Sequence, residues 1–366
     1  MLQDIKNIFK RSDYFLLLIV MIMAVISYFA IYSAVYDTTT GLVRGNAARQ
    51  LKIFGFGLII FFAVSFIGYK RFVRFAIPLY IIGCLALVLV ILKGDVGMGA
   101  RRWIFGVQPS EFFKFVWVVM LGWVFMDLEA QSIGFFKLLK KLVWLLPPFG
   151  LVFLQPDLGT AMTYIAVWGI VVAFLGVRKE IVALFVILCM FAAPVMWNKM
   201  ANYQRMRVIS FLAPDKYSGG GGYQARQSKI AIGSGGLTGK GYLKGTQAHL
   251  KFMPERHTDF IFSVINEERG FAGGIAVIAL FLLLLSRVMM TAVQFKEARG
   301  KVVCVAVGGF ILFQFYINVS MTMGIAPVVG VPLPLISYGG SSLVTYMAML
   351  GLVNSVYIYK DTPMEV

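Results

Sequence analysis

Apolar runs long enough to cross a lipid bilayer recur along this chain, and they leave it few ways to fold. A spanning helix needs about 20 predominantly apolar residues, within a range of roughly 17–25. Runs of this kind lie near 14–36, 52–69, 75–92, 112–127, 140–155, 159–176, 181–198, 271–290, 302–323 and 341–358. In hydrocarbon every backbone N–H and C=O must find its partner within the protein, so each run is expected as a helix. The pattern predicts an all-α polytopic integral membrane protein of about ten transmembrane helices, a single membrane domain over residues 1–366. A large extracytoplasmic loop, 199–270, is expected between the seventh and eighth helices. Composition excludes a soluble alternative, because 59% of the residues are hydrophobic and only 14% charged, where a soluble domain has about 45–50% and about 25%. The first run exceeds a signal-peptide core and more runs follow it, which excludes a lone cleavable leader. Pro147 and Pro148 interrupt the fifth run and are expected to kink it. The Pro- and Gly-rich stretch 324–340 is expected to dip into the membrane as a broken segment.

The formal net charge is +17, but its placement argues against nucleic acid. Lys and Arg gather in short segments between apolar runs, where they set orientation. With the N-terminus inside, the short inner segments hold 16 positive residues and the short outer ones 7. Both termini are therefore expected in the cytoplasm, in a multi-pass protein of the cytoplasmic (inner) membrane. The 199–270 loop carries eleven more, yet long loops translocate largely regardless of charge. Gly219–Gly222 reads as a flexible joint within it. Cys84, Cys189 and Cys304 lie inside apolar runs without CxxC spacing, so neither a disulfide framework nor a metal site is expected.

In this topology the unusual polar residues all face outward, and ionisable groups at membrane depth default to function. Arg101 and Arg102 precede Trp103. Glu111 and Lys114, spaced i, i+3, share one helix face, either as a structural ion pair or as substrate contacts. Gln155 and Asp157 flank a proline, and Asp157 can cap the next helix as well as touch a ligand. In the long loop the glycines do not make a phosphate-binding P-loop, since Ser234 and Gly241 occupy positions where that motif needs Gly and Ser or Thr. His249 and His257 are the only histidines and have no zinc spacing. No permanent metal is expected; a divalent cation, Mg or Mn, held by carboxylates and a substrate phosphate stays open. What remains is Asp259, behind Thr258 and among Arg256, Lys251, Arg226 and Lys229. A lone Asp suits a general base, and guanidinium and ammonium groups suit phosphate. The competing reading makes Thr258 or Asp259 the cap of the eighth helix.

Six ordered motifs carry a resemblance. Gly99-Ala-Arg-Arg-Trp103, Pro109-Ser-Glu-Phe-Phe-Lys114, Gln155-Pro-Asp-Leu-Gly-Thr160, Gln227-Ser-Lys-Ile-Ala-Ile-Gly-Ser-Gly-Gly236, Pro254-Glu-Arg-His-Thr-Asp-Phe-Ile-Phe262 and Pro332-Leu-Pro-Leu-Ile-Ser-Tyr-Gly-Gly-Ser-Ser342 resemble the SEDS family (shape, elongation, division and sporulation proteins), nearer its rod-elongation branch than its division branch. The resemblance implies a peptidoglycan glycosyltransferase that polymerises lipid II on the outer face of the membrane during elongation. The family's essential acidic residue maps onto Asp259, and the Glu and Lys of its Pro-Ser-Glu-x-x-Lys motif onto Glu111 and Lys114. Arg101 departs from the family's more common residues there, so the resemblance leaves open whether both arginines or only Arg102 faces substrate. On this reading Asp259 takes the proton of an acceptor GlcNAc 4-hydroxyl, and the reaction inverts the donor carbon. Arg102, Arg226 and Lys229 would stabilise the departing pyrophosphate. The implied partners are lipid II, a polyprenyl-linked glycan strand, a class B penicillin-binding transpeptidase and other elongation-complex membrane proteins. The alternatives are a flippase for the same precursor, which many helices and buried charges also fit, and a non-catalytic scaffold.

Overall fold

The computed structural model describes residues 9–36, 45–97, 100–126, 134–176, 200–213, 221–249 and 255–360, with isolated positions between 183 and 198. The expected seventh helix, and half of the expected glycine joint, fall outside these residues. In chain order the elements are α1 (Tyr14–Val35), α2 (Asn46–Ile67), α3 (Tyr69–Arg74) and α4 (Ala76–Lys93). A hairpin of β1 (Asp95–Gly97) and β2 (Ala100–Trp103) follows, then α5 (Pro109–Val124), α6 (Phe135–Leu142), α7 (Leu146–Leu154) and α8 (Leu158–Phe174). The polar region holds α9 (Asn202–Leu212), α10 (Gly221–Ser234) and α11 (Thr246–His249). The chain closes with α12 (Ile261–Gln294), α13 (Ala298–Thr322) and α14 (Gly340–Ile358). Six of these, α1, α2, α4, α12, α13 and α14, are long and apolar enough to cross a membrane, so the protein is a multi-pass membrane protein.

Three expectations are corrected. The Pro147–Pro148 pair does not kink one helix. It occupies the first turn of α7, after a 3-10 turn over Val143–Leu145, because the first turn of a helix has no use for the N–H that proline lacks. Gly221 and Gly222 open α10 instead of forming a joint. The helix expected at 271–290 begins earlier, at Ile261, and is broken at Gly270 (φ 65°, ψ −161°).

The break in α12 explains the glycine motif of the loop. Phe271 and Ala272 lose their helical acceptors and donate instead to Gly236 O at 2.8 Å and Leu237 O at 3.1 Å. The carbonyls of Glu267 and Glu268 accept from Lys240 N and Gly241 N, each at 3.0 Å. A freed backbone group in an apolar setting must be satisfied by something, and here the 236–241 backbone does it. The two segments approach closely enough that a Cβ on Gly239 would sit 2.1 Å from Glu268 O.

Burial separates the centre of the bundle from its rim. In the most apolar stretch of α14, 78% of residues are buried within the protein, and 67% in α13, against 22% in α4. The last presents its apolar surface to lipid. Helix α14 also defines two ends. Asn354 near its C-terminus accepts from Asp13 N at 2.9 Å. Gly340, fourteen residues earlier, lies about 20 Å away along the axis. Asp13 caps α1 and takes a bidentate bond from Arg287, at 2.6 and 2.9 Å, which closes that end. The stretch 324–339 is irregular and returns across the Gly340 end.

Candidate active site

A cavity of about 700 Å³ opens at the Gly340 end of the bundle. Helices α5, α8, α12 and α14 all begin there, so four N-terminal dipole ends, each carrying about half a positive charge, point toward it. Asp157 offsets one of them: its carboxylate accepts from Thr160 N at 3.3 Å and Thr160 Oγ1 at 3.0 Å as the N-cap of α8. Gly339, the N-cap of α14, offers no side chain to do the same.

Asp259 lines this cavity on the turn before α12. Its backbone is pinned by the irregular 324–339 chain. Asn318 Nδ2 donates both to Asp259 O at 2.9 Å and to Val331 O at 2.8 Å. Ser337 Oγ donates to Thr258 O at 2.5 Å, and Tyr338 N to His257 O at 2.9 Å. The carboxylate itself makes no hydrogen bond or ion pair among the described residues. Gly330 leaves it room, since a Cβ there would stand 3.3 Å from Asp259 Oδ2 and 3.6 Å from Arg207 Nη1. Burial, helped by the neighbouring Glu255 charge, raises the Asp259 pKa to about 7 against the pull of Arg207 and Arg102. The group is half-buried, but what reaches it is the cavity rather than bulk solvent. A rigidly held carboxylate that shares its proton near neutral pH has the character of a general base.

Two guanidinium groups face it. Arg102 Nη2 donates to Pro156 O at 2.6 Å and to Tyr203 Oη at 3.0 Å, and its Nε stands 3.9 Å from Asp157 Oδ2. That Nε is buried and has no hydrogen-bond partner among the described residues. Arg207, on α9, lies over the Tyr203 ring at 5.6 Å. Burial and then the Arg102 charge lower its pKa. Two like charges held together with spare donors favour a multivalent anion between them.

The other residues singled out from sequence divide clearly. Glu111 lines the cavity and is bonded to Lys114 Nζ at 2.5 Å. Lys114 is wholly buried behind it, so the pair locks the start of α5 while one carboxylate oxygen, Glu111 Oε2, has no hydrogen-bond partner among the described residues. Asp157 both caps α8 and lines the cavity. Thr258 lines it too, with its hydroxyl given to Glu255 Oε2 at 2.9 Å. Neither Thr258 nor Asp259 caps α12, because the N-cap position is Phe260. That removes the competing reading. Gln155 is corrected: it is buried and donates to Leu87 O at 2.9 Å, away from the cavity. Arg101 is exposed and reaches Ile91 O at 3.4 Å instead. Arg226 and Lys229 are exposed on α10 and do not line the cavity either, since the helix presents Gln224 to it.

Arg207, Arg49, Glu255 and Tyr338 line the cavity and were not singled out. Glu255 and Tyr338 stand inside the motifs quoted above without being picked out of them, and Arg207 left a trace in the Tyr203…Arg207 spacing of i, i+4 that stacks a cation on a ring. Among the described residues no three His, Cys, Asp or Glu side chains gather to hold a metal.

The family model for cell cycle proteins of the FtsW/RodA/SpoVE type matches residues 13–362. A peptidoglycan glycosyltransferase, MrdB of Escherichia coli strain K12, is 39% identical over 355 residues, covering 94% of this chain and 93% of that protein. The peptidoglycan glycosyltransferase RodA of Treponema pallidum is 29% identical, covering 94% and 97%. Among solved structures, a chain from work on how a peptidoglycan synthase complex coordinates polymerization and crosslinking superposes with a TM-score of 0.80 at 29% identity, over 96% of this chain and 99% of that one. The crystal structure of the rod shape determining protein RodA from Thermus thermophilus gives 0.71 at 27% identity, over 96% and 98%.

Proposed function

The chain belongs to the FtsW/RodA/SpoVE family of cell cycle proteins and is a peptidoglycan glycosyltransferase of cell elongation, and from that premise we propose that Asp259 is its general base. The supporting observation is the Asp259 carboxylate itself, pinned by its backbone, without a side-chain partner among the described residues, and facing Arg102 and Arg207 across the cavity. Asp259 takes the proton from a sugar hydroxyl of the acceptor, a lipid II molecule. The freed oxygen attacks the anomeric carbon of the donor strand as the bond from that carbon to the polyprenyl pyrophosphate breaks, with inversion. Arg102 and Arg207 receive the charge that grows on the departing pyrophosphate, and the N-termini of α5 and α14 add to their field. Arg207 takes the place that sequence reasoning had given to Arg226 and Lys229. Asp259 and Glu255 would offer carboxylate oxygens to a divalent cation, with pyrophosphate and water completing the set. Its chemistry would be to neutralise leaving-group charge.

This reading places ten spans in the cytoplasmic membrane, both termini inside and the 199–270 region outside, so that the cavity meets lipid-linked precursor on the outer face. The positive-inside count supports it. A transpeptidase of the class B penicillin-binding type is the proposed partner, because the strand made here must be cross-linked. The test is polymerisation of labelled lipid II by the purified chain with its cognate transpeptidase, beside Asp259→Asn. Strands from wild type and none from a folded variant are expected; equal rates would remove Asp259 from the chemistry.

A further inference from the structure

After the β1–β2 hairpin the chain makes a second, two-residue turn before α5. Ile104 N donates to Val107 O at 2.9 Å and Val107 N to Ile104 O at 3.0 Å. Both residues between them have positive φ, 52° at Phe105 and 73° at Gly106. A hairpin turn of this kind favours Asn or Asp followed by Gly, since positive φ crowds a Cβ. Gly106 fits that rule and Phe105 breaks it. The ring gains nothing within the chain in return, because Phe105 is 96% exposed. Trp103, two residues earlier, is 41% exposed. A local rule broken without a compensating contact points to a role outside the folded chain.

The place of this turn suggests which role. Arg102, Trp103 and Gly106 all line the cavity that holds Asp259. The turn is therefore the cavity's lip, continuous with the site that holds the pyrophosphate. We propose that Phe105 and Trp103 form a carbohydrate-binding platform on this lip, over which the glycan strand passes as it leaves the reaction centre. The inference rests on the glycosyltransferase reading. A growing strand soon exceeds a cavity of about 700 Å³ and must cross its mouth. Pyranose rings turn a face of C–H bonds to one side and keep hydroxyls at the edge, so they lie flat on an aromatic ring and stay wet. Aromatic rings give wide contact at small entropic cost, and such contacts, repeated at each ring, hold a strand while it slides.

The experiment measures strand length from labelled lipid II with the full chain and its transpeptidase in liposomes. Phe105→Asn suits the turn, so its Tm is expected at or above wild type. Its strands should shorten about threefold or more, as expected for one lost aromatic contact, while the rate of first-bond formation stays within about twofold. Phe105→Trp should restore length and Phe105→Leu should not. Unchanged length in Phe105→Asn would overturn the platform. Equal rescue by Leu and Trp would also overturn it and mark an apolar contact with lipid. If wild type itself made no strands, the polymerase reading would fall, and the platform with it.

Discussion

The two ends of the bundle use the same residue types to opposite effect. At the Asn354 end, Asp13 takes two bonds from Arg287 and one from Leu16 N at 3.1 Å, and Asn354 ties its backbone to Ser65. Donors and acceptors there match, and Arg287 also lies over the Tyr357 ring at 5.0 Å. At the Gly340 end, among the described residues, Asp259 has an acceptor pair without a donor, Arg102 keeps an unmatched Nε, and Glu111 an unmatched Oε2. A closed ion pair contributes to one arrangement of helices; an open one costs stability until a ligand completes it. The lesson is that a buried charge alone does not mark a site. The missing partner does.

The sharpest way to break the comparison is at Asp259. Asp259→Asn should lower polymerisation by about 10²–10⁴-fold, the usual worth of general-base help. It should do so without loss of fold. The folded pKa of Asp259, about 7, lies above an unfolded value of about 3.9. The folded state therefore holds that proton more tightly, and the stability this contributes is lost as pH rises through 7. The variant should thus melt higher than wild type at pH 8, with the gap narrowing as pH falls and closing near pH 4, a trend that thermal unfolding across this range would show. Wild-type turnover should climb as pH rises toward 7 and level above it, because the base must be deprotonated. A flat profile from pH 5 to 8 would contradict the assignment.

Arg207→Gln comes next, with an expected loss on the order of 10²-fold in kcat/KM, as for removal of one charge-stabilising donor. A value within twofold of wild type would return the leaving-group role to the residues of α10. The opposite end should respond in the opposite currency. Arg287→Met should cost roughly 3 kcal/mol of stability by stranding a buried Asp13, while activity per folded molecule is kept. Loss of activity without loss of stability there would erase the distinction between the ends. The smallest effect belongs to Arg101→Ala, which should leave KM for lipid II within roughly twofold, as for an exposed charge.

How much of this was legible varied with the distance over which each feature is decided. The spanning runs were readable because hydropathy acts locally: four of the six long helices were placed within four residues of their observed bounds, and α2 was placed six residues late at its start. Helix α12 was placed short by its N-terminal arm, since residues 261–269 look too polar to be helix until the 236–241 backbone covers their break. Asp259, Arg102, Glu111 and Asp157 were found as charged or capping residues beside helix starts. Gln155 stood in the same motif as Asp157, and nothing in one sequence shows that its amide turns toward Leu87. Arg226 and Lys229 belong to a helix, α10, whose face toward the cavity depends on how it packs against α12.

The sequence by itself determined a helical membrane protein, and it pointed to an orientation through the placement of Lys and Arg and to a carboxylate that lines the cavity. Each follows from residue type and local spacing, which lipid and the positive-inside bias read directly. Only the tertiary structure decided which cations share that carboxylate's cavity and that its proton is held near neutrality. Those depend on the convergence of β2, α9, the turn before α12 and the 324–339 chain, segments up to about 230 residues apart. Burial and charge act through space, and a linear order of residues carries no distance between them.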